Sequence, residues 1–193
     1  MTELAGDSGS WLSGTSARAV LKLLSPGRVA AVAVLSLTLL SLLARARGGL
    51  WPTLALTPLI VALAAIVVLD LAERIIPNVI TLPMLAYALL LAATHMTMPL
   101  LQAILGAVIG AGLPLIVAII SRGAIGGGDV KLMAMLGAAL GWKDALYVFA
   151  LAHVAGALVL LTLFLVHRRF PRGRFAIGAF ISLVGAIFIV VGR

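Results

Sequence analysis

The sequence predicts an all-α protein, a polytopic membrane bundle of about six to seven transmembrane helices. Three observations carry that prediction. Of 193 residues, 63% are hydrophobic and 10% charged, whereas the apolar share of a soluble domain is nearer one half. The mean hydropathy is +1.25. The apolar residues also gather into runs comparable with the roughly 20 residues that cross a ~30 Å hydrocarbon core, with basic residues between the runs. In a soluble chain the net charge of +8 would suggest a nucleic-acid partner. In short loops between apolar runs it reads instead as a topology and headgroup signal, so the expected partner is the lipid bilayer and not nucleic acid. The chain has no cysteine, which rules out disulfides, thiolate catalysis and cysteine-ligated zinc. Its three histidines are scattered, so no metal or cofactor is expected.

Residues 1–28 are small and polar, with Arg18, Lys22 and Arg28 leading up to the first apolar run. They read as a cytoplasmic tail with an interfacial helix around Ala17–Leu24. Residues 29–50 read as an extra N-terminal transmembrane segment and its loop. The run Val29–Ala44 is short for a span, and Ala44-Arg45-Ala46 has the pattern of a small-residue cleavage site. Two readings fit, a cleaved signal and a retained first span, and the long polar stretch ahead favours retention.

Residues 51–193 make up the remaining membrane domain. A span from about Thr53 to Leu71 carries Asp70 at its end, followed by Glu73-Arg74-Ile75-Ile76-Pro77-Asn78, where Pro77 stops a helix and Asn78 can cap the next. Spans follow at Val79–Ala93 and Leu100–Ile120. Then comes the glycine stretch Gly126-Gly127-Gly128-Asp129, a short apolar helix Val130–Leu140, a long helix Ala145–Val166, a basic loop at 167–174 and a last helix Phe175–Val191. Val130–Leu140 spans barely half of the hydrocarbon core at about 1.5 Å per residue. If it were re-entrant, the arginine-rich loop would face outward. A short, shielded span extended toward Lys143 in a locally thinned bilayer is therefore preferred.

Parity places Asp70 and Asp129 on one side of the membrane, since one ends a span, the other begins one, and two complete spans lie between. Arg18, Lys22, Arg28, Arg74, Arg122, Lys131, Arg168, Arg169, Arg172 and Arg174 share that side, leaving Arg45, Arg47, Lys143 and Arg193 on the other. The positive-inside rule makes the aspartates cytoplasmic.

Outside the tail the acids are Asp70, Glu73, Asp129 and Asp144, and Asp144 falls on the opposite face. Asp70 and Asp129 are thus the pair that similar depth could bring together. Two close carboxylates in a low dielectric do not both ionise easily, so one keeps its proton. Such a dyad suits aspartic proteolysis, in which the ionised member activates water and the protonated one donates to the scissile carbonyl. Residues without a Cβ let a backbone approach closely, which gives the glycines a role beside a peptide substrate.

Plainer readings stand beside these. Asp129 could be the N-cap of a helix beginning at Val130, and Asp70 could be satisfied by an ion pair with Arg74 at i+4. Lys131 should point away from the site, toward headgroups or another acid. His153, in mid-span, reads as a buried hydrogen-bonding residue because no acid lies at its depth. Gly106-x-x-x-Gly110 and Gly137-x-x-x-Gly141 fit close helix packing within the chain.

The segment Asp70 to Thr81, with Arg74-Ile75-Ile76-Pro77-Asn78 inside it, and the block Gly126-Gly127-Gly128-Asp129-Val130-Lys131-Leu132 together resemble the type IV prepilin peptidase (leader peptidase) family, a GxGD type of aspartic protease. A weaker match is Phe170 to Gly178, where Arg174 stands in place of a frequent proline. The resemblance covers about residues 55–193. It implies that Asp70 and Asp129 are catalytic, while Gly126, Gly127, Gly128, Lys131, Arg74, Pro77 and Asn78 shape the site. It also implies cleavage of a short basic leader, typically after glycine, from pilin-like precursors at the cytoplasmic membrane face. Bifunctional members carry paired cysteines in an N-terminal segment and also N-methylate the product. The lack of cysteine here therefore resembles the peptidase-only branch of tight-adherence pilus systems and archaeal preflagellin peptidases. Three readings compete with it: a presenilin-type protease expects a Pro-Ala-Leu motif that is missing, a small proton-coupled transporter expects midplane acids and inverted repeats, and a purely structural membrane subunit expects either aspartate to tolerate alanine without functional loss. The sequence assigns no oligomeric state.

Overall fold

A computed structural model describes residues 25–47, 49–122, 125–168 and 175–192. The proposed interfacial helix at 17–24 and most of the basic loop at 167–174 lie outside the described residues. The described residues form seven helices: α1 Pro26–Arg47, α2 Leu50–Glu73, α3 Asn78–Ala93, α4 Leu100–Ile120, α5 Gly127–Leu140, α6 Trp142–His167 and α7 Ile177–Val191. By length and composition α1, α2, α4 and α6 can cross a membrane, and α3 and α7 are shorter apolar helices. The protein is an all-helical, multi-pass membrane protein.

Each helix has a local reason for its limits. Pro26 occupies the first helical position of α1, where its missing N–H costs no bond. From there α1 runs through Ala44-Arg45-Ala46 to Arg47, so the run that looks short in sequence has helix beyond both ends. Arg74 stops α2 in the left-handed conformation (φ 56°), and its N–H donates to the Asp70 carbonyl at 2.9 Å. Pro77, not Asn78, is the N-cap of α3, and Asn78 is the first helical residue. Its side chain is therefore available for a different partner.

Gly141, at φ 84°, both ends α5 and begins α6. The expected extension of the short helix toward Lys143 does not occur, because this left-handed residue breaks the chain direction. The shielding expected of α5 is present. Asp129, Leu132, Met133, Met135, Leu136, Gly137 and Ala138 are all buried, and α5 packs against α3, α4, α6 and α7. Protein, not lipid, encloses it.

The core is therefore built by the two short helices α5 and α7 together with the inward face of α2. On α7 the buried residues Gly178, Ala179, Ile181, Ser182, Gly185, Ala186, Ile189 and Val190 form one helical stripe, facing α2, α5 and α6. Along α2 the buried residues Leu56, Leu59, Ile60, Leu63, Ile66 and Leu69 recur at helical spacing, and Asp70 is the next member of that stripe. The periodicity that buries leucines thus carries a carboxylate inward at the helix end. α4 and α5 are the most extensively packed pair. They meet through Gly106 and Gly137, whose missing side chains would each overlap the other's backbone carbonyl. The small-residue motifs are used inside the chain. His153 is half-buried, with Nδ1 at 2.7 Å from the Phe149 carbonyl oxygen.

Candidate active site

Asp70 lies in the last turn of α2 and is only 4% exposed. Its Oδ2 accepts a 2.7 Å hydrogen bond from the backbone N–H of Ala179, in the first turn of α7. First-turn N–H groups have no partner within their own helix, and the positive end of the helix dipole lies there as well. A carboxylate 109 positions earlier in the chain supplies the missing acceptor. Among the described residues the ion pair at this end joins Glu73 to Arg28 at 2.6 Å, and no Asp70–Arg74 pair forms. Arg74 is exposed and serves as the helix terminator.

Asp129 is 8% exposed and stands three residues after the N-cap of α5, not at the cap itself. Gly126 is the N-cap and has no side chain to offer, so Asp129 reaches back and its Oδ2 accepts the Gly126 N–H at 3.2 Å. This is the returning half of a capping box. The plain N-cap reading is corrected by this geometry, because α5 begins at Gly127, three residues earlier than the apolar run suggests.

The carboxylates converge on Gly178. A Cβ placed on Gly178 would lie 3.0 Å from Asp70 Oδ2 and 3.2 Å from Asp129 Oδ1. The two acids thus flank a position that is kept empty by the lack of a side chain. Gly128 has a related role, since a Cβ there would come within 2.9 Å of Ile76 Cβ, and only glycine lets α5 start this close to the segment after Asp70. Gly127 is the half-buried first residue of α5.

Lys131 Nζ donates to Asn78 Oδ1 at 2.9 Å, tying the start of α5 to the start of α3. Asn78 can accept because Pro77, which is buried, already holds the capping position. This side chain joins the two segments that frame the aspartates. Asp144 lies in the first turn of α6, away from this end, and no cluster of three or more His, Cys, Asp or Glu able to hold a metal occurs among the described residues.

Gly178, Ala179 and Ile76 complete the site, and sequence reasoning did not single them out as site residues. Parity offered a signal: the loop at 167–174 falls on the same side as the aspartates, so the helix after it must begin near them. The resulting arrangement, two buried carboxylates beside a helix N-terminus, is equipped to take a proton from one group and give one to another.

Comparison with known proteins identifies the family. The family model for the type IV leader peptidase family matches residues 57–161, which include both aspartates. The chain is 36% identical over 156 residues to a prepilin leader peptidase/N-methyltransferase of Dickeya chrysanthemi, covering 75% of this chain and 54% of that protein. Proteins with the same name from Pseudomonas putida and Aeromonas salmonicida (strain A449) are 31% and 30% identical over 150 residues, covering 75% and 74% of this chain and 52% and 50% of theirs. The chain thus spans about half the length of these relatives. No solved structure matches it.

Proposed function

The chain belongs to the type IV leader peptidase family, and on that premise we propose that it is a membrane aspartic endopeptidase that removes the short basic leader from type IV pilin-like precursors. Cleavage follows a glycine and takes place at the cytoplasmic face of the cell membrane. The observation that carries the reading is the convergence of Asp70 and Asp129 on Gly178 from two different helices. In this mechanism the ionised carboxylate takes a proton from water as the water attacks the scissile carbonyl. The protonated carboxyl stabilises the developing oxyanion and then protonates the leaving amine. The Ala179 and Gly126 N–H groups fix the two carboxylates, so their orientation is set before substrate arrives. Gly178 leaves room for the scissile peptide between them, and the Lys131–Asn78 bond holds α5 and α3 in register around it.

The proposal covers peptide cleavage alone. A transporter reading gains nothing from the comparisons, and both acids lie at helix ends. The cytoplasmic placement rests on the distribution of basic residues, and a cysteine at Ser121 that labels only from outside intact cells would reverse it.

The test is cleavage of a co-expressed precursor whose basic leader ends in glycine. Asp70→Asn and Asp129→Asn keep an oxygen acceptor for Ala179 and Gly126 but remove the proton chemistry. Both variants are expected to accumulate normally and leave the precursor uncut. Wild-type cleavage by either variant would dismiss the two-aspartate mechanism.

A further inference from the structure

Arg28, near the start of α1, pairs with Glu73, the last residue of α2, at 2.6 Å. Both side chains are about one-third exposed. Glu73 is three residues past Asp70, one turn along the same helix end and closer to solvent. Besides the two aspartates and Asp144 at the other end, it is the one acid among the described residues. The same end carries Arg74, Arg122, Lys131 and Arg168. Among the described residues, a cationic peptide approaching the aspartates therefore meets repulsion on most sides and a single carboxylate outside the dyad. α1, which carries Arg28, lies outside the stretch matched by the family model.

We infer that Glu73 is the subsite for a cationic side chain of the precursor's leader, and that Arg28 occupies this subsite in the free enzyme. The inference rests on the peptidase reading above. Partly exposed ion pairs have small net worth, because solvent already screens each partner and holding two long side chains together costs entropy. Breaking the Arg28–Glu73 pair therefore costs little, and a leader lysine or arginine that would otherwise face Arg74, Arg122, Lys131 and Arg168 unpaired gains more at Glu73 than the pair loses. The substrate can displace Arg28 at little cost, whereas a leader without cations gains nothing by doing so. The pair acts as a filter on leader charge at the entrance to the site.

The test uses the full chain in membranes and two precursors, one with a basic leader and one with its leader lysines and arginines replaced by glutamine. Arg28→Ala removes the competitor and is expected to lower KM for the basic leader by up to about fivefold, the scale of one exposed ion pair. Glu73→Gln removes the subsite and is expected to raise that KM by a similar factor, with the wild-type preference for the basic over the neutral leader collapsing toward one. Both substitutions break the same Arg28–Glu73 contact, so a merely structural role would move KM in the same direction in both. That outcome overturns the inference, as does a Glu73→Gln enzyme that keeps its preference for the basic leader. A wild-type protein that cleaves neither precursor overturns the peptidase reading and the subsite with it.

Discussion

Replacing Gly178 with alanine adds one methyl group at the point where the two aspartates meet, and its consequence can be worked from the distances. The new Cβ would lie 3.0 Å from Asp70 Oδ2, 3.2 Å from Asp129 Oδ1 and 2.5 Å from Ile76 Cδ1. The isoleucine terminus can rotate away. The carboxylates cannot move as easily, because Ala179 and Gly126 tether them. Each must yield by a few tenths of an ångström, and overpacking of this kind costs about 1–3 kcal/mol, offset by the ~1 kcal/mol that alanine gains over glycine in a helix. The folded protein should therefore survive. Catalysis should not be spared, since a misplacement of about 1 Å can cost ~100-fold. Gly178→Ala is expected to lower kcat by about 10- to 100-fold, with a melting temperature in detergent close to that of the wild type. The readout is single-turnover cleavage of the precursor beside a thermal melt. An unchanged kcat would show that the reaction does not take place between these carboxylates. Loss of the folded protein would show that the glycine serves packing first.

Other consequences follow from the same contacts. Gly106→Ala and Gly137→Ala each force a methyl group against a backbone carbonyl that has nowhere to go, and each should cost about 3 kcal/mol or more. Gly112→Ala, with nothing within 4 Å of the added atom, should be neutral or mildly stabilising in the same melts. A double-mutant cycle of Lys131→Met and Asn78→Ala should show a coupling of about 1 kcal/mol, the scale of a partly buried bond to a charged donor. No coupling would return Lys131 to the headgroup role.

The parts of the fold that were legible in the sequence are those written in local pattern. The long spans follow from apolar length, and the common end of Asp70 and Asp129 follows from counting spans between them. The N-cap of α5 was misplaced because the apolar run starts at Val130, while three glycines carry no hydrophobic signal although two of them are helical. The bond from Lys131 to Asn78 was not legible because the two residues lie 53 positions apart on different helices. Likewise nothing near Gly178 announces that it faces two acids, since that contact joins three segments distant in sequence. The short length of α5 raised the right question: neighbouring helices shield it, as the sequence suggests, but Gly141 ends it before it can extend toward Lys143.

The bond from Ala179 to Asp70 also imposes a timetable on the molecule. A ribosome adding about 5–20 residues per second needs roughly 5–20 s to travel from the codon for Asp70 to that for Ala179. Throughout that interval the Asp70 carboxylate lacks the donor that will orient it. Asp129 arrives partway through, already held by its own Gly126. The two halves of the centre thus mature by different routes, one locally as α5 winds, the other only when α7 docks. A nascent chain stalled before α7 would carry both aspartates and still lack the arrangement that sets them side by side.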